Sequence, residues 1–234
     1  MKKIINIFAT AAAMLSLASC EAVIDSVTKN PVFEFAGTTV YDGQSAFLGT
    51  AATCKIGWKT DNSDIVYLQY DENGKNCKAT FTLNNNLVTD VKITATNLDD
   101  ATVNPFEGTI TVAPWKLVIF QKVDGKWEQV SREDEDYFLW SERKVGGSNN
   151  FKVQMQYLKA NGSYADIDVV TYKLKLNDKG KHEITWAGDV LSDSQAGEST
   201  KCSMEFTLDQ APASTKSVTA KLGTKTHEIK ILAK

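Results

Sequence analysis

The sequence predicts an all-β chain of two antiparallel domains in series, each a sandwich or a barrel. Three observations carry this: strict apolar–polar alternation in many short runs, polar turn clusters between them, and a three-block internal repeat. Successive side chains of a strand point to opposite faces, so spacing by two marks a strand with one buried side.

In the first half, Cys54-x-Ile56-x-Trp58 forms one inward face and Cys77-x-Ala79-x-Phe81-x-Leu83 another. Val91-x-Ile93-x-Ala95 and Ile110-x-Val112 follow. Turn clusters separate them at Thr60 to Asp64, Asp71 to Lys75 and Asn84 to Asn86. Asn73-Gly74 predicts a tight hairpin, because both residues tolerate the positive φ such turns require. After Pro114, Leu117 to Phe120 is broken at Val123-Asp124-Gly125-Lys126 and resumes around Trp127. Tyr137 to Trp140 follows an acidic run, Glu133 to Asp136. Phe151-x-Val153-x-Met155-x-Tyr157 and Val170-x-Tyr172-x-Leu174-x-Leu176 then alternate cleanly. Beyond the first twenty residues, no stretch carries a helix-length apolar stripe of period 3.6.

The repeat divides the chain. Cys54-Lys-Ile-Gly-Trp58 matches His182-Glu-Ile-Thr-Trp186, and Cys77 to Asn84 matches Cys202 to Asp209. Thr109 to Ala113 matches the closing strand Glu228 to Ala233. Three blocks in one order predict two related domains, 30–114 and 115–234, the second with extra N-terminal strands.

The N-terminus predicts an address. Met1-Lys2-Lys3 is a short positive region, and Ile4 to Leu17 is an apolar run shorter than the roughly 20 residues that span a bilayer. Leu17-Ala18-Ser19-Cys20 resembles the lipobox of bacterial lipoproteins. The resemblance implies a signal peptide over 1–19, lipidation of Cys20, a tether over 20–29, and membrane attachment through the N-terminal lipid. Two or more acyl chains hold stably where one does not. Glu21 and Asp25 resemble the acidic surface-export signal of Bacteroidetes lipoproteins, and Asp25-Ser26-Val27 resembles the short O-glycosylation motif of that phylum. These features imply an outer membrane lipoprotein on the cell surface, with a periplasm-facing orientation as the alternative.

The chain carries 26 basic and 29 acidic residues, a formal charge of −3. Removal of residues 1–19 takes away Lys2 and Lys3 and deepens it to about −5. That argues against nucleic acid as a partner, which needs a basic face.

Ile56-x-Trp58 on one strand, a polar Asp/Asn/Ser turn, and Thr/Val-rich closing strands resemble bacterial Ig-like domains of the Big type. Trp58-Lys-Thr-Asp-Asn-Ser-Asp-Ile-Val66 is the nearest segment. The resemblance covers about residues 30–113 and, more loosely, 165–234. It implies Ig-like sandwiches, a fold that serves adhesion, spacing and glycan contact alike.

Cys54 and Cys77 share face parity with Trp58 and Phe81, so both point into the first core. A disulfide there is expected, closing a loop of about 23 residues and contributing roughly 3 kcal/mol; two buried free thiols are the alternative. His182 and Cys202 hold the matching places in the second half, as a core thiol beside a histidine. Two histidines in all, and no nucleophile-elbow, zinc-helix, phosphate-loop or Cys-x-x-Cys motif, lead to the expectation of no enzyme, no metal and no cofactor. Glu133 to Asp136 offers hard oxygens but lacks the spacing of a calcium loop. Phe138 and Trp140 share one face of their strand and form the candidate ligand platform. The sequence thus predicts a lipid-anchored envelope protein acting as a non-catalytic binding, adhesion or spacer module, with a glycan or an envelope protein as partner. The alternative is a carbohydrate-binding accessory lipoprotein of a polysaccharide-uptake system.

Overall fold

The computed structural model describes residues 29–33, 35–168, 170 and 184–233. Cys20, most of the tether, the run from Tyr172 to Leu176, and His182 lie outside the described residues.

The first half contains β1 (Thr39–Tyr41), β2 (Ser45–Gly49), β3 (Ile56–Thr60), β4 (Val66–Gln69), β5 (Asn76–Phe81), β6 (Thr89–Asn97) and β7 (Phe106–Ala113). One sheet runs β1-β7-β6-β3 and the other β2-β5-β4. Strand β1 lies parallel to β7, while the other pairings are antiparallel. This is the two-sheet strand order of an Ig-like sandwich, with the first strand moved to the edge of the sheet that holds the last. The alternating residues read from sequence fill the space between the sheets: Ile56, Trp58, Cys77, Ala79, Phe81, Val91, Ile93, Ala95, Ile110 and Val112 are all buried.

The second half contains β8 (Trp115–Val123), β9 (Lys126–Gln129), β10 (Tyr137–Leu139), β11 (Asn150–Leu158), β12 (Tyr164–Asp166), β13 (Ile184–Gly188), β14 (Gly197–Ser199), β15 (Ser203–Thr207), β16 (Lys216–Leu222) and β17 (Lys225–Leu232). One sheet runs β10-β17-β16-β13-β14, again with its first strand parallel to the last. The facing sheet runs β12-β11-β8-β9, and β15 also pairs with β11. The far edge of β11 is therefore shared: Asn150 to Gln154 pair with β15, and Gln156 to Leu158 with β12. The buried Gln154 amide fills the fork, donating to the carbonyls of Ile167 and Cys202 at 3.0 and 3.3 Å. A buried amide unable to reach such acceptors would cost about 1–3 kcal/mol.

Each repeated block falls on the equivalent strand of its sandwich. Trp58 on β3 sits opposite Ala95 on β6, and Trp186 on β13 sits opposite Ala220 on β16. The small alanine leaves room for each indole on the core side. The Trp58 indole donates to the Gly74 carbonyl at 2.5 Å and that of Trp186 to the Lys201 carbonyl at 2.9 Å, each just before the strand carrying the second block.

Two turns show how the alternation is interrupted. Asp124 and Gly125 both have positive φ, 48° and 80°, giving the two-residue hairpin between β8 and β9. The Asn73-Gly74 turn differs from the sequence expectation. Only Gly74 is left-handed, and β4 and β5 are joined by a six-residue loop, Tyr70 to Lys75, rather than a two-residue turn. The reason is tertiary: the Asn73 carbonyl accepts from Ile56 N at 2.9 Å, so the loop is held by the opposite sheet.

The disulfide expectation is corrected. Cys54 and Cys77 are free thiols. Cys77 lies on β5, whereas Cys54 precedes β3 on the facing sheet, and its thiol donates to the Lys29 carbonyl at 3.9 Å. Equal parity places both in one core but does not aim one sulfur at the other.

Candidate functional site

The predicted platform does not form. Strand β10 is held parallel to β17, with Phe138 opposite Ile231, and this register turns Phe138 into the second core at 1% exposure. There it packs 5.8 Å from Phe151. Alternation stops at Leu139, because Trp140 opens a 3₁₀ turn, Trp140–Glu142. The half-buried Trp140 ring tilts against Phe151 at 5.7 Å, and the Arg143 guanidinium lies 5.2 Å from its centroid. Phe138 is a core anchor, and Trp140 is packed rather than presented.

The acidic run is engaged in structural contacts. Arg132 pairs with Glu135 at 3.3 Å and with Glu142, Lys116 donates to the Glu133 carbonyl, and the Asp136 carbonyl accepts from Lys230 N at 2.8 Å. Among the described residues no group of three His, Cys, Asp or Glu side chains is placed to hold a metal ion. Burial pushes the Cys77 thiol up to about 12 and that of Cys202 to about 11, so both are protonated and poor nucleophiles near neutrality.

Two features went unrecognised in the sequence. The first is the joint between the sandwiches. Strand β7 ends at Ala113 and β8 begins at Trp115, with Pro114 alone between them. The β1–β2 turn of the first sandwich, Asp42 to Gln44, is buried against the β16–β17 turn of the second. Thr224 N donates to the Gly43 carbonyl at 3.1 Å, the Trp115 indole to the Asp42 carbonyl at 2.8 Å, and Leu83 N to Asp42 Oδ1 at 2.8 Å. Asp42 Oδ2 pairs with Lys225 Nζ at 2.9 Å. Backbones meet so closely that a Cβ on Gly43 would lie 2.5 Å from the Leu222 oxygen, and one on Gly223 would lie 2.1 Å from the Gly43 oxygen. Tyr41 packs on Tyr157 across the joint at 5.4 Å, and burial with that neighbour pushes its phenol up to about 12.

His227 completes the joint, its ring 4.3 Å from that of Trp115. Its Nε2 is buried without a hydrogen-bond partner. Burial, then the charge of Lys225, hold its pKa below the ordinary histidine value, with Asp42 acting in the opposite direction. Beside it is a cleft of about 310 Å³ lined by Trp115, Lys116, Glu133 to Asp136, Tyr164 and Glu228.

The second feature is the outer face of β8, β9 and β11. Lys122 pairs across strands with Trp127, and Phe120 with Lys152. Lys152 Nζ lies 4.7 Å from the Phe120 centroid and 5.7 Å from that of Trp127, and Lys122 Nζ lies 5.8 Å from Trp127. Both rings are half-buried. The sequence signal was present in the alternation of Phe120 and Lys122 against Trp127, but the hairpin had to be folded to bring them together.

No family model and no curated protein matches the chain. Among solved structures it is similar to domains 4–9 of the surface layer protein SbsC, at 14% identity and a TM-score of 0.27, over 88% of this chain and 32% of that one. It thus spans about a third of that chain's length. Domains 5–6 of the same S-layer protein give 16% identity and a TM-score of 0.25, over 87% of this chain and 99% of that one. The human desmocollin-1 ectodomain gives 8% identity and a TM-score of 0.26, over 86% and 58%. Likenesses this low transfer no function to the chain, whose all-β sandwich fold rests on the strand order above.

Proposed function

We propose that the chain is a lipid-anchored cell-envelope protein of the Bacteroidetes lipoprotein kind, held in the outer membrane by Cys20 and facing the cell surface. Its two sandwiches act as a non-catalytic binding and spacing module. The observation that supports this best is the joint: a one-residue linker, an ion pair from the buried Asp42 to the half-buried Lys225, and glycine-to-glycine backbone contact fix the second sandwich relative to the first. A pair of domains joined in this way holds a surface at a set distance.

The direction of that spacing follows from the first sandwich. Asn97, at the end of β6 away from the joint, donates through Nδ2 to the Lys29 carbonyl at 3.0 Å. The chain therefore enters at the pole opposite the second sandwich. From Cys20 to Lys29 is a leash of at most about 30 Å at full extension. The second sandwich is then the outer one.

Protease digestion of intact cells, blotted for residues 116–234 beside a periplasmic marker, tests the reading. Loss of the signal while the marker survives is expected, as is release of the protein to the soluble fraction in Cys20→Ala. Protection until the envelope is broken would overturn the surface assignment. The second reading, a carbohydrate-binding accessory lipoprotein, now takes its support from the outer face around Trp127.

A further inference from the structure

We infer that the outer face of β8, β9 and β11 is a binding surface for an acidic polysaccharide, with Trp127 and Phe120 as stacking rings and Lys122 and Lys152 as anion contacts. The inference rests on the outward, exported placement proposed above and names the ligand class of that module.

Ring availability is the first argument. Trp115, Trp186, Phe138 and Phe151 are buried in the second core, and Trp140 is packed between Phe151 and Arg143. Trp127 and Phe120 instead lie on the outer side of the sheet, half-buried, with lysine ammonium groups over their rings. An aromatic ring on an outer face takes the apolar C–H side of a sugar, and a ring already held in place loses little freedom on binding.

Charge is the second. Lys92, Lys225, Lys230 and Arg132 each sit beside a carboxylate partner. Among the described residues, Lys122 and Lys152 have no carboxylate within ion-pair distance, although Glu205 on β15 is in register with Lys152. Their ammonium groups rest over the two rings instead. Two cations and two rings thus share one face, a local charge opposite in sign to the −3 of the whole chain.

Spacing is the third. Lys152 is opposite Phe120, and Lys122 is two residues further along β8. Register therefore places the two lysines as diagonal neighbours, about 7–8 Å apart at the backbone. Two cations at that spacing make a narrow anion contact beside the stacking rings, whereas a nucleic acid draws its affinity from a broader basic surface.

Position is the fourth. Strand β8 leaves the joint at Trp115, and Lys122 is seven residues on, about 23 Å away along the strand. The platform is thus in the half of the outer sandwich remote from both the joint and the tether.

The test is titration of the full-length chain in detergent with polygalacturonate, chondroitin sulfate, neutral dextran and a single-stranded oligonucleotide, read by tryptophan fluorescence and calorimetry. Binding is expected to one or both acidic glycans, the carboxylated or sulfated arm identifying the acid group. Binding should weaken as salt rises. It should fall at least about tenfold in Trp127→Ala and in Lys122→Gln/Lys152→Gln, and stay unchanged in Trp140→Ala. The double lysine variant alters outer-face charge without touching the core, so it stands as the test if Trp127→Ala fails to fold. Equal affinity for dextran, oligonucleotide binding as tight as glycan binding, or undiminished binding in the lysine variant would each overturn the inference. Failure with both acidic glycans would also overturn it while leaving the anchored-module reading intact. Protease protection in intact cells would do the reverse.

Discussion

The two sandwiches share a plan and differ at one pole. In the first, Phe106 opens β7 and packs edge-on against Phe33 at 5.1 Å, which in turn packs on Trp58. In the second, His227 holds the place of Phe106, each being the partner of the alanine that faces the core tryptophan. Trp115 takes the part of Phe33. The first pole receives the chain at Lys29 and closes with phenylalanine rings. The second receives another domain, and the same positions become a ring with an N–H for the Asp42 carbonyl and a histidine beside an ion pair. One architecture thus serves as a terminus in one copy and as a socket in the other, and the difference resides in a handful of side chains.

The shared plan can be broken at its tryptophans. Trp58→Ala and Trp186→Ala should each cost about 3–5 kcal/mol in urea unfolding, through lost burial and a carbonyl left without its indole donor. The larger loss is expected at Trp186, which is fully buried, against 6% exposure for Trp58. A loss under about 1 kcal/mol at either site would show that the two indoles are not equivalent anchors.

The socket is the next target. Gly43→Ala places a Cβ against the Leu222 carbonyl and the Lys225 backbone, at a φ of 91° that alanine disfavours. The expected cost is about 1–3 kcal/mol, with calorimetry resolving two transitions where the unaltered chain gives one. A single unshifted transition would mean that the turn is not what couples the sandwiches.

The smallest effect sharpens the comparison at its point of difference. His227→Phe installs the residue of the first pole, and stability at neutral pH should shift by less than about 1.5 kcal/mol. Because the folded histidine titrates below its ordinary 6.5, the unfolded state binds the proton first. Its contribution is therefore full above that value and lost as pH falls from 6.5 through the depressed native value. Melting temperatures across that window should fall less in the phenylalanine variant. Parallel curves would remove His227 from the joint's acid response.

Much of this fold was legible because alternation is a local signal. Cys54, Ile56 and Trp58, or Val91, Ile93 and Ala95, need no partner strand to reveal their inward face, and the repeated blocks needed none to reveal equivalent strands. The errors came where a distant strand decides. A three-residue strand such as Tyr137–Leu139 has two faces, and only its pairing with β17 turned Phe138 inward. Cys54 and Cys77 were placed in one core by parity, which says nothing about the direction of a thiol across two sheets. The joint was beyond reach for the same reason: Asp42-Gly43 and Leu222 to Lys225 are each an ordinary polar turn until a fold separated by some 180 residues of chain brings them together. The Trp127 face lay between these cases, since its hairpin signal was local but its lysine on β11 was not.

The parallel pairing of β1 with β7 has a mechanical consequence. Tension entering near Lys29 and leaving through Pro114 pulls β1 and β7 along their lengths in opposite senses. Their ladder hydrogen bonds run across that direction and share the load together, unlike a hairpin, whose bonds open singly from one end. Strand β10 lies parallel to β17 in the second sandwich in the same way, but β8 and β9 precede it, so the chain does not enter that sandwich through its parallel strand.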